Sequence, residues 1–380
     1  MAPEIALAEV AALPPGSWVL DPMVGSGTVV RVAANRGHRA IGFDLDPLAV
    51  LMAKVWTTPI EADRLRQQAR ALVETIRAQP VATVRLPWID DDAETAAYVT
   101  YWFAREQRDD LRRLSAALQG IAGPVGDALR LGLSRIVVTK DHGASLARDV
   151  SHSRPHRTRT TNDFPVLDEF PRAVARLAQQ LKDQPPPGQA TVESGDARHL
   201  TAVETGSIDS VITSPPYLNA IDYLRGHRLA LVWLGYRLSD LRALRSDSVG
   251  AERGPSASAA LDLAAELTAP LEPLDRLPAR QRRMVDRYVL DVDAVLGEIY
   301  RVLRPGATAV VVIGNSCVRG VFIRNARLLV NAAERIGFTL SKESERVLPP
   351  NRRYLPPPRV LTTSDLEKRM RTETVLTFIR

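Results

Sequence analysis

Short apolar runs that stop at glycine, proline or acidic residues alternate with amphipathic stretches near the start of the chain. Residues 17–28 read SWVLDPMVGSGT, an apolar run that enters a glycine-rich turn, and VVRVAANRGH follows with helical spacing and closes at Gly37. Residues 39–47, RAIGFDLDP, are typical of a second strand, and Pro47 suits the first position of the next helix. This order of strand, turn, helix and strand indicates half of a doubly wound sheet.

Strand patterns return in the second half of the chain. ATVESGDAR (190–198) and SIDSVITSPPY (207–217) are apolar runs that end in turns, and ATAVVVIGNS is typical of a buried strand. GFTLSKESERVL and ETVLTFIR predict a final antiparallel pair. The patterns predict an α/β fold with a doubly wound, mostly parallel seven-stranded sheet and helical insertions.

The stretch between these two regions is mostly helical in pattern. From Thr57 to Leu181, apolar residues recur at the spacing of amphipathic helices. We therefore divide the chain into residues 1–56 and 190–380, which form the sheet domain, and a helical insertion, 57–189. Within the last part, residues 246–282 are rich in Ala and Pro and predict a mobile insertion or a loosely packed helix.

Composition excludes several classes of protein. The 380 residues include 50 Lys and Arg against 44 Asp and Glu, and this net charge of +6 is compatible with nucleic acid. The single cysteine, Cys317, cannot build a disulfide framework or a cysteine-based zinc site and fits a reducing cytosol. No secretion signal begins the chain, and no apolar run reaches the about 20 residues of a membrane helix. We expect a soluble cytoplasmic protein that uses no membrane and no metal.

The glycine-rich turn predicts a binding site for a nucleoside. Asp21 ends the first strand, and Gly25 and Gly27 allow a ligand to approach the backbone closely, although a structural turn is an alternative. A third glycine at dinucleotide spacing and the Gly-Lys of a phosphate loop are both missing. Asp44, at the end of the second strand, suits the ribose hydroxyls, and Asp196 suits an adenine amine or caps a turn. S-adenosylmethionine is a nucleoside of this kind without phosphate.

The proline-rich stretch TSPPY, residues 213–217, makes the prediction more specific. Together with DPMVGSGT, it resembles the amino-group DNA methyltransferases, which modify adenine N6 or cytosine N4. The first motif of that family is D-P-x-x-G-S-G-T, matched here by Asp21, Gly25, Ser26, Gly27 and Thr28. Its catalytic motif is [D/N/S]-P-P-[Y/F], matched by Ser214, Pro215, Pro216 and Tyr217. YRVLRPGATAVVVIG also resembles a later helix–strand segment of the family.

The resemblance implies a class I methyltransferase-like fold that uses S-adenosylmethionine, with residues 57–189 as a candidate target-recognition region. The implied catalytic residues are Ser214, Pro215, Pro216 and Tyr217. The implied cofactor-binding residues are Asp21, Pro22, Met23, Gly25, Ser26, Gly27, Thr28, Asp44, Leu45, Asp196 and Ala197. Only about sixteen residues precede the first strand, where the family carries a segment that encloses the methionine end of the cofactor. Another segment would enclose the cofactor, or the start of the chain is truncated. The position of the insertion also departs from the motif orders common in the family.

The chemistry of an exocyclic amine explains the proline turn. The amine is conjugated into its ring, and hydrogen-bond acceptors aimed at its N–H groups draw the lone pair out of conjugation. The Ser214 oxygen and the Pro215 carbonyl are the candidate acceptors, since prolines stiffen the turn and contribute no N–H. Tyr217 offers a ring on which a base taken out of the duplex can stack, worth about 1–3 kcal/mol.

Several activities share these motifs. Serine at the first catalytic position favours the cytosine-N4 branch, and aspartate or asparagine is commoner in the adenine-N6 branch. An RNA or tRNA guanine-N2 methyltransferase is an alternative, and a non-catalytic nucleic-acid-binding subunit is another. Cytosine-C5 chemistry needs a cysteine nucleophile after a proline turn, whereas Cys317 lies in NSCVRG. We expect a site-specific DNA methyltransferase, with cytosine N4 as the favoured target.

Basic and polar residues in three segments are candidates for contact with double-stranded DNA. Arginine supplies phosphate and base-edge contacts, although solvated loops and helix ends account for these residues equally well. Residues 151–164 form an aperiodic basic stretch, another segment follows the proline turn, and the third, NRRYLPPPR, precedes the last strand. The candidates are His152, Arg154, His156, Arg157, Asn219, Arg225, Arg352 and Arg353. A cognate restriction endonuclease is a candidate protein partner.

Overall fold

The computed structural model describes residues 3–80, 84–137, 139, 142–148, 155–181, 186–218, 223–249, 258–269, 274–348 and 372–380. Its strands, in chain order, are β1 (Trp18–Asp21), β2 (Arg39–Asp44), β3 (Ala147–Arg148), β4 (His156–Arg157), β5 (Gln189–Ser194), β6 (Ile208–Thr213), β7 (Leu303–Gly314), β8 (Ser316–Val318), β9 (Val321–Ile323), β10 (Thr339–Val347) and β11 (Thr372–Ile379). Its helices are α1 (Pro3–Ala11), α2 (Thr28–Asn35), α3 (Pro47–Thr57), α4 (Ala62–Ala78), α5 (Pro87–Asp90), α6 (Ala93–Trp102), α7 (Arg105–Gln119), α8 (Gly123–Val137), α9 (Val166–Gln180), α10 (Tyr223–Leu231), α11 (Leu238–Asp247), α12 (Ser258–Thr268), α13 (Ala279–Val302) and α14 (Asn325–Ile336).

Seven strands form one sheet in the order β10-β11-β7-β6-β1-β2-β5. The five strands β7, β6, β1, β2 and β5 pair in parallel, each with the next in this order. Strand β11 pairs antiparallel with both β7 and β10. The predicted seven-stranded, mostly parallel α/β sheet is confirmed, including the final antiparallel pair. β6 is almost continuously buried, as expected of a parallel strand covered on both faces.

The strand order places a topological switch point between β1 and β6. The chain runs from β1 outward to β2 and β5, and then returns to add β6 on the other side of β1. In open α/β sheets, ligands bind outside the carboxyl ends of the strands at such a point. DPMVGSGT follows β1 and TSPPY ends β6, so both motifs lie at this position of the sheet.

The contacts divide the chain into two compact units. The sheet unit contains residues 1–45, 187–221 and 246–380, and the helical unit contains residues 46–186 and 222–245. The helical unit thus starts before residue 57, because α3 packs against α8 and α10. Each unit has its own apolar core: Leu65, Phe170 and Trp233 are buried in the helical unit, and Leu20, Tyr288 and Phe378 are buried in the sheet unit.

One stretch differs from the sequence-based expectation, and a second takes one of two predicted alternatives. His156 and Arg157, predicted to lie in an aperiodic segment, form β4, which pairs antiparallel with β3. Within residues 246–282, predicted to be mobile or loosely packed, α12 packs against α13 and α14, and its Ala264 and Leu267 are buried. The structure therefore has a helix in this stretch, which was one of the two predicted alternatives. In the part of the chain that the structure describes, no helix combines the length and apolar character needed to cross a membrane.

Candidate active site

The turn after β1 takes a conformation that favours glycine. Gly25 and Gly27 have φ angles of +51° and +88°, in the left-handed region that side chains with a Cβ rarely adopt. The Gly27 amide donates to the Val24 carbonyl at 2.9 Å, and Gly27 is the N-cap of α2. A Cβ built at Gly25 would meet no atom within 4 Å, so the surface of the turn is open at this residue.

Asp44, at the end of β2, is joined to the same turn. Its Oδ2 accepts a hydrogen bond from the Gly25 amide at 2.9 Å. The Val24 amide donates to the Phe43 carbonyl at 2.8 Å, which fixes the turn against the end of the neighbouring strand. Asp44, which is predicted to bind the cofactor, is therefore held beside Gly25, although Asp44 ends β2 and the glycine turn follows β1.

Asp21 connects the glycine turn to the proline turn. The Asp21 side chain is buried, and its Oδ1 accepts hydrogen bonds from the Thr213 hydroxyl at 2.7 Å and from the Met23 amide at 3.2 Å. Burial raises the pKa of the Asp21 carboxyl to about 6; the Thr213 bond opposes this shift, and the charge of Asp44 adds to it. The structure thus brings DPMVGSGT and TSPPY into direct contact.

The proline turn is held by both of its flanking side chains. The Ser214 hydroxyl donates to the Val312 carbonyl of β7 at 3.0 Å, and the Tyr217 hydroxyl donates to Glu373 Oε1 of β11 at 2.9 Å. Ser214 and Tyr217 are half-buried, and Pro215 between them is buried. The turn is therefore bonded to two further strands of the sheet.

Asp196 lies in a network of charged groups beyond β5. Arg198 donates to both Asp196 carboxylate oxygens and also to Asp291 of α13, at 2.7 Å. Burial opposes ionisation of Asp196, but the bonds from Arg198 outweigh it and hold the pKa of the Asp196 carboxyl below its ordinary value. Ala197, the next predicted cofactor residue, is buried. Arg198 fixes the orientation of this predicted adenine-binding acid.

The predicted nucleic-acid residues are described only in part. His156 and Arg157 lie on β4 of the helical unit, where the Arg157 guanidinium stacks over the exposed Tyr101 ring at 4.6 Å. Arg225 lies on α10 of the same unit. His152, Arg154, Asn219, Arg352 and Arg353 fall outside the described residues.

Three side chains of the site were not singled out from the sequence: Thr213, Arg198 and Glu373. Arg198 lies two residues after Asp196, and this spacing was the available signal. Thr213 lies in TSPPY, but its partner Asp21 is 192 residues away. Glu373 is 156 residues from its partner Tyr217, and no local pattern marks it. Among the described ranges, no group of three or more His, Cys, Asp or Glu could hold a metal ion.

The residues of the sheet unit fit a nucleoside cofactor. The open surface at Gly25 admits close approach to backbone, and carboxylates end both β1 and β2. No family model matches the chain. A TehB-like SAM-dependent methyltransferase from Corynebacterium glutamicum aligns over 99% of this chain and 87% of its own, with 11% identity and a TM-score of 0.31. A SAM-dependent methyltransferase from Methanosarcina mazei aligns over 100% and 98%, with 10% identity and a TM-score of 0.35.

Three relatives of known class have higher sequence identity to this chain. The Type II methyltransferase M.AvaI of Nostoc sp. is 31% identical over 363 residues, which cover 85% of this chain and 73% of the relative. The Type II methyltransferase M.MvaI of Kocuria varians is 21% identical over 332 residues, 80% of this chain and 71% of the relative. M.BsoBI of Geobacillus stearothermophilus is 22% identical over 382 residues, 85% and 73%. The chain therefore belongs to the Type II methyltransferases, enzymes that use S-adenosylmethionine to methylate DNA at specific sites.

Proposed function

We propose that this methyltransferase modifies the N4 amine of cytosine in double-stranded DNA, by direct transfer to a base taken out of the duplex. The observation that carries the proposal is the hydrogen bond from the Ser214 hydroxyl to the Val312 carbonyl. A hydroxyl has one proton and two acceptor lone pairs. Because the Ser214 proton is committed to Val312, its oxygen is left as an acceptor for the N–H of an exocyclic amine.

The second acceptor in this proposal is the Pro215 carbonyl. Two acceptors on one stiff turn can bind both N–H groups of an amine and draw its lone pair out of conjugation. Serine at the first position supports cytosine N4 over adenine N6, for which aspartate or asparagine is commoner in the family. The anchoring of Ser214 to β7 supports the same role, since a preorganised acceptor needs no rearrangement during transfer.

We assign cofactor binding to the turns that follow β1, β2 and β5. Asp21, Pro22, Met23, Gly25, Ser26, Gly27, Thr28, Asp44, Leu45, Asp196 and Ala197 would hold S-adenosylmethionine, which supplies the methyl group on its sulfonium. Asp44 would accept the ribose hydroxyls while keeping the Gly25 amide in place. Asp196, oriented by Arg198, would accept from the adenine amine through lone pairs not used by Arg198.

Pro216 keeps the turn rigid, and the Tyr217 ring would cover the extruded base by stacking. For DNA contact we propose His152, Arg154, His156, Arg157, Asn219, Arg225, Arg352 and Arg353, with residues 57–189 as the region that recognises the target. We further propose that the enzyme works in the cytoplasm beside a cognate restriction endonuclease. To test for this partner, a plasmid methylated in the organism that carries this enzyme is exposed to nucleases from the same organism. Resistance of the plasmid to cleavage would support the partner.

A labelling experiment tests the target base. The protein is incubated with methyl-labelled S-adenosylmethionine and either plasmid DNA from a methylation-deficient host or tRNA, and the digested nucleosides are separated. We expect label in N4-methylcytosine from DNA. Label in N6-methyladenine would overturn the proposed base, and label in tRNA alone would favour the guanine-N2 alternative. Tight DNA binding without any label would indicate a non-catalytic subunit.

A serine pair tests the role of Ser214. Ser214→Ala removes the acceptor, so we expect transfer to become undetectable while the cofactor dissociation constant stays within about threefold of wild type. Ser341→Ala is the matched control, because Ser341 is exposed on β10 and is far from the two turns in sequence. Retention of transfer by Ser214→Ala would refute the acceptor role.

A further inference from the structure

Tyr217 is held at both ends, and only one of these restraints belongs to the catalytic motif. Pro215 and Pro216 restrict the backbone that leads into it. Its hydroxyl donates to Glu373 Oε1 at 2.9 Å. The Glu373 side chain is 13% exposed, and its Oε2 lies 3.6 Å from Arg346 Nη1 on β10. The far end of the ring is therefore bonded to a half-buried carboxylate beside a cation.

Glu373 occupies a rigid position in the sheet. It pairs with Gly314 of β7 and, two positions along β11, Val375 pairs with Val312, whose carbonyl accepts the Ser214 hydroxyl. Ser214 and Tyr217 are thus bonded to two strands that are paired with each other. A carboxylate acceptor gives a shorter and stronger bond than a neutral one.

We propose that Glu373 is a positioning residue for methyl transfer: it fixes the plane of the Tyr217 ring so that the ring is ready to cover the target base. The proposal rests on the stacking role assigned to Tyr217 above. The prolines restrict the backbone and do not act on the side-chain torsions of Tyr217. The Glu373 bond restrains those torsions, and Arg346 lies 3.6 Å from the other oxygen of the same carboxylate.

A double-mutant cycle tests this assignment. Tyr217→Phe keeps the ring and removes the donor, and Glu373→Ala keeps the ring and removes the acceptor. We expect each to lower the single-turnover rate of DNA methylation by about tenfold, because a misoriented group loses part of its contribution in the transition state. The double variant should be no slower than either single variant, since both remove the same bond.

Two further variants separate positioning from general damage. Glu373→Gln retains an oxygen acceptor and should recover most of the rate lost in Glu373→Ala. Glu343→Ala, which removes an exposed carboxylate from β10, should leave the rate unchanged. Circular dichroism and the cofactor dissociation constant are measured for every variant. If Glu373→Ala does not fold, the cycle is run with Glu373→Met, which removes the acceptor and keeps a side chain of similar length, and the same absence of additivity is expected.

The proposal would be overturned if Glu373→Ala slowed Tyr217→Phe as much as it slows the wild type. It would also be overturned if Glu373→Ala alone left the rate unchanged. Failure of the proposed function is distinguishable, because the wild-type protein would then put no label on N4-methylcytosine in plasmid DNA. In the cycle, the measured quantity is the rate at which each variant methylates the DNA base that the wild type labels. The cycle therefore tests Glu373 independently of which base that is.

Discussion

The hydrogen bond between Thr213 and Asp21 links TSPPY to DPMVGSGT. Its removal should lower the free energy of unfolding by an amount that depends on pH. The Asp21 carboxyl is 2% exposed and accepts the Thr213 hydroxyl at 2.7 Å. Thr213→Val removes this hydroxyl and keeps a side chain of similar shape. Because Thr213 lowers the pKa of Asp21 against the effect of burial, the variant should raise that pKa above about 6.

The sign of the effect follows from the ionisation of Asp21. Burial raises the pKa of Asp21 from 3.8 to about 6, so ionisation costs the folded state roughly 3 kcal/mol at pH values above 6 and nothing below about pH 4. A hydrogen bond to a charged group contributes about 1.5–3 kcal/mol, and one between neutral groups about 0.5–1.5 kcal/mol. We therefore expect Thr213→Val to lower the free energy of unfolding by about 1 kcal/mol at pH 5 and about 2–3 kcal/mol at pH 8.

Urea unfolding of wild type and variant at the two pH values measures this difference. Since the two units have separate cores, circular dichroism is combined with tryptophan fluorescence, to which Trp18 contributes in the sheet unit and Trp56, Trp88, Trp102 and Trp233 in the helical unit. In an Asp21→Asn background the pH dependence of the Thr213→Val effect should vanish. An equal loss at pH 5 and pH 8 in the wild-type background would refute the reasoning.

Two other predictions concern the carboxylates near the site. Asp44→Ala should weaken S-adenosylmethionine binding by about tenfold or more, measured by isothermal titration calorimetry, because it removes both the ribose acceptor and the Gly25 restraint; Asp44→Asn should lose less, and wild-type affinity in Asp44→Ala would contradict the assignment. Arg198→Met should lower the free energy of unfolding by about 2–4 kcal/mol, since it leaves the buried Asp291 with Arg287 as its remaining ion-pair partner in the described network. The exposed pair of Arg304 with Asp209 is the control, and Arg304→Ala should cost about 0–1 kcal/mol; equal losses in both variants would contradict the prediction.

Local patterns in the chain were sufficient to predict the class of fold and of enzyme. Central strands such as β1 and β6 are recognisable because each is a short apolar run bounded by turn residues, and a pattern of this kind depends only on neighbouring residues. The rule that ligands bind at the carboxyl ends of parallel strands then relates Asp21, Asp44 and Ser214 to one edge of the sheet. The same local reasoning left two alternatives for the stretch that contains α12, because an Ala-rich composition is compatible with both a mobile segment and a loosely packed helix.

The contacts that hold the two turns in place depend on the fold of the whole chain. Asp21 and Thr213 are 192 residues apart, Tyr217 and Glu373 are 156 apart, and Arg198 and Asp291 are 93 apart. Which strands become neighbours is decided by how the sheet buries its apolar faces, and hydrophobic periodicity carries no information on that order. The division into units has the same origin, because α3 follows β2 directly in the chain yet buries its apolar side among the helices of the other core.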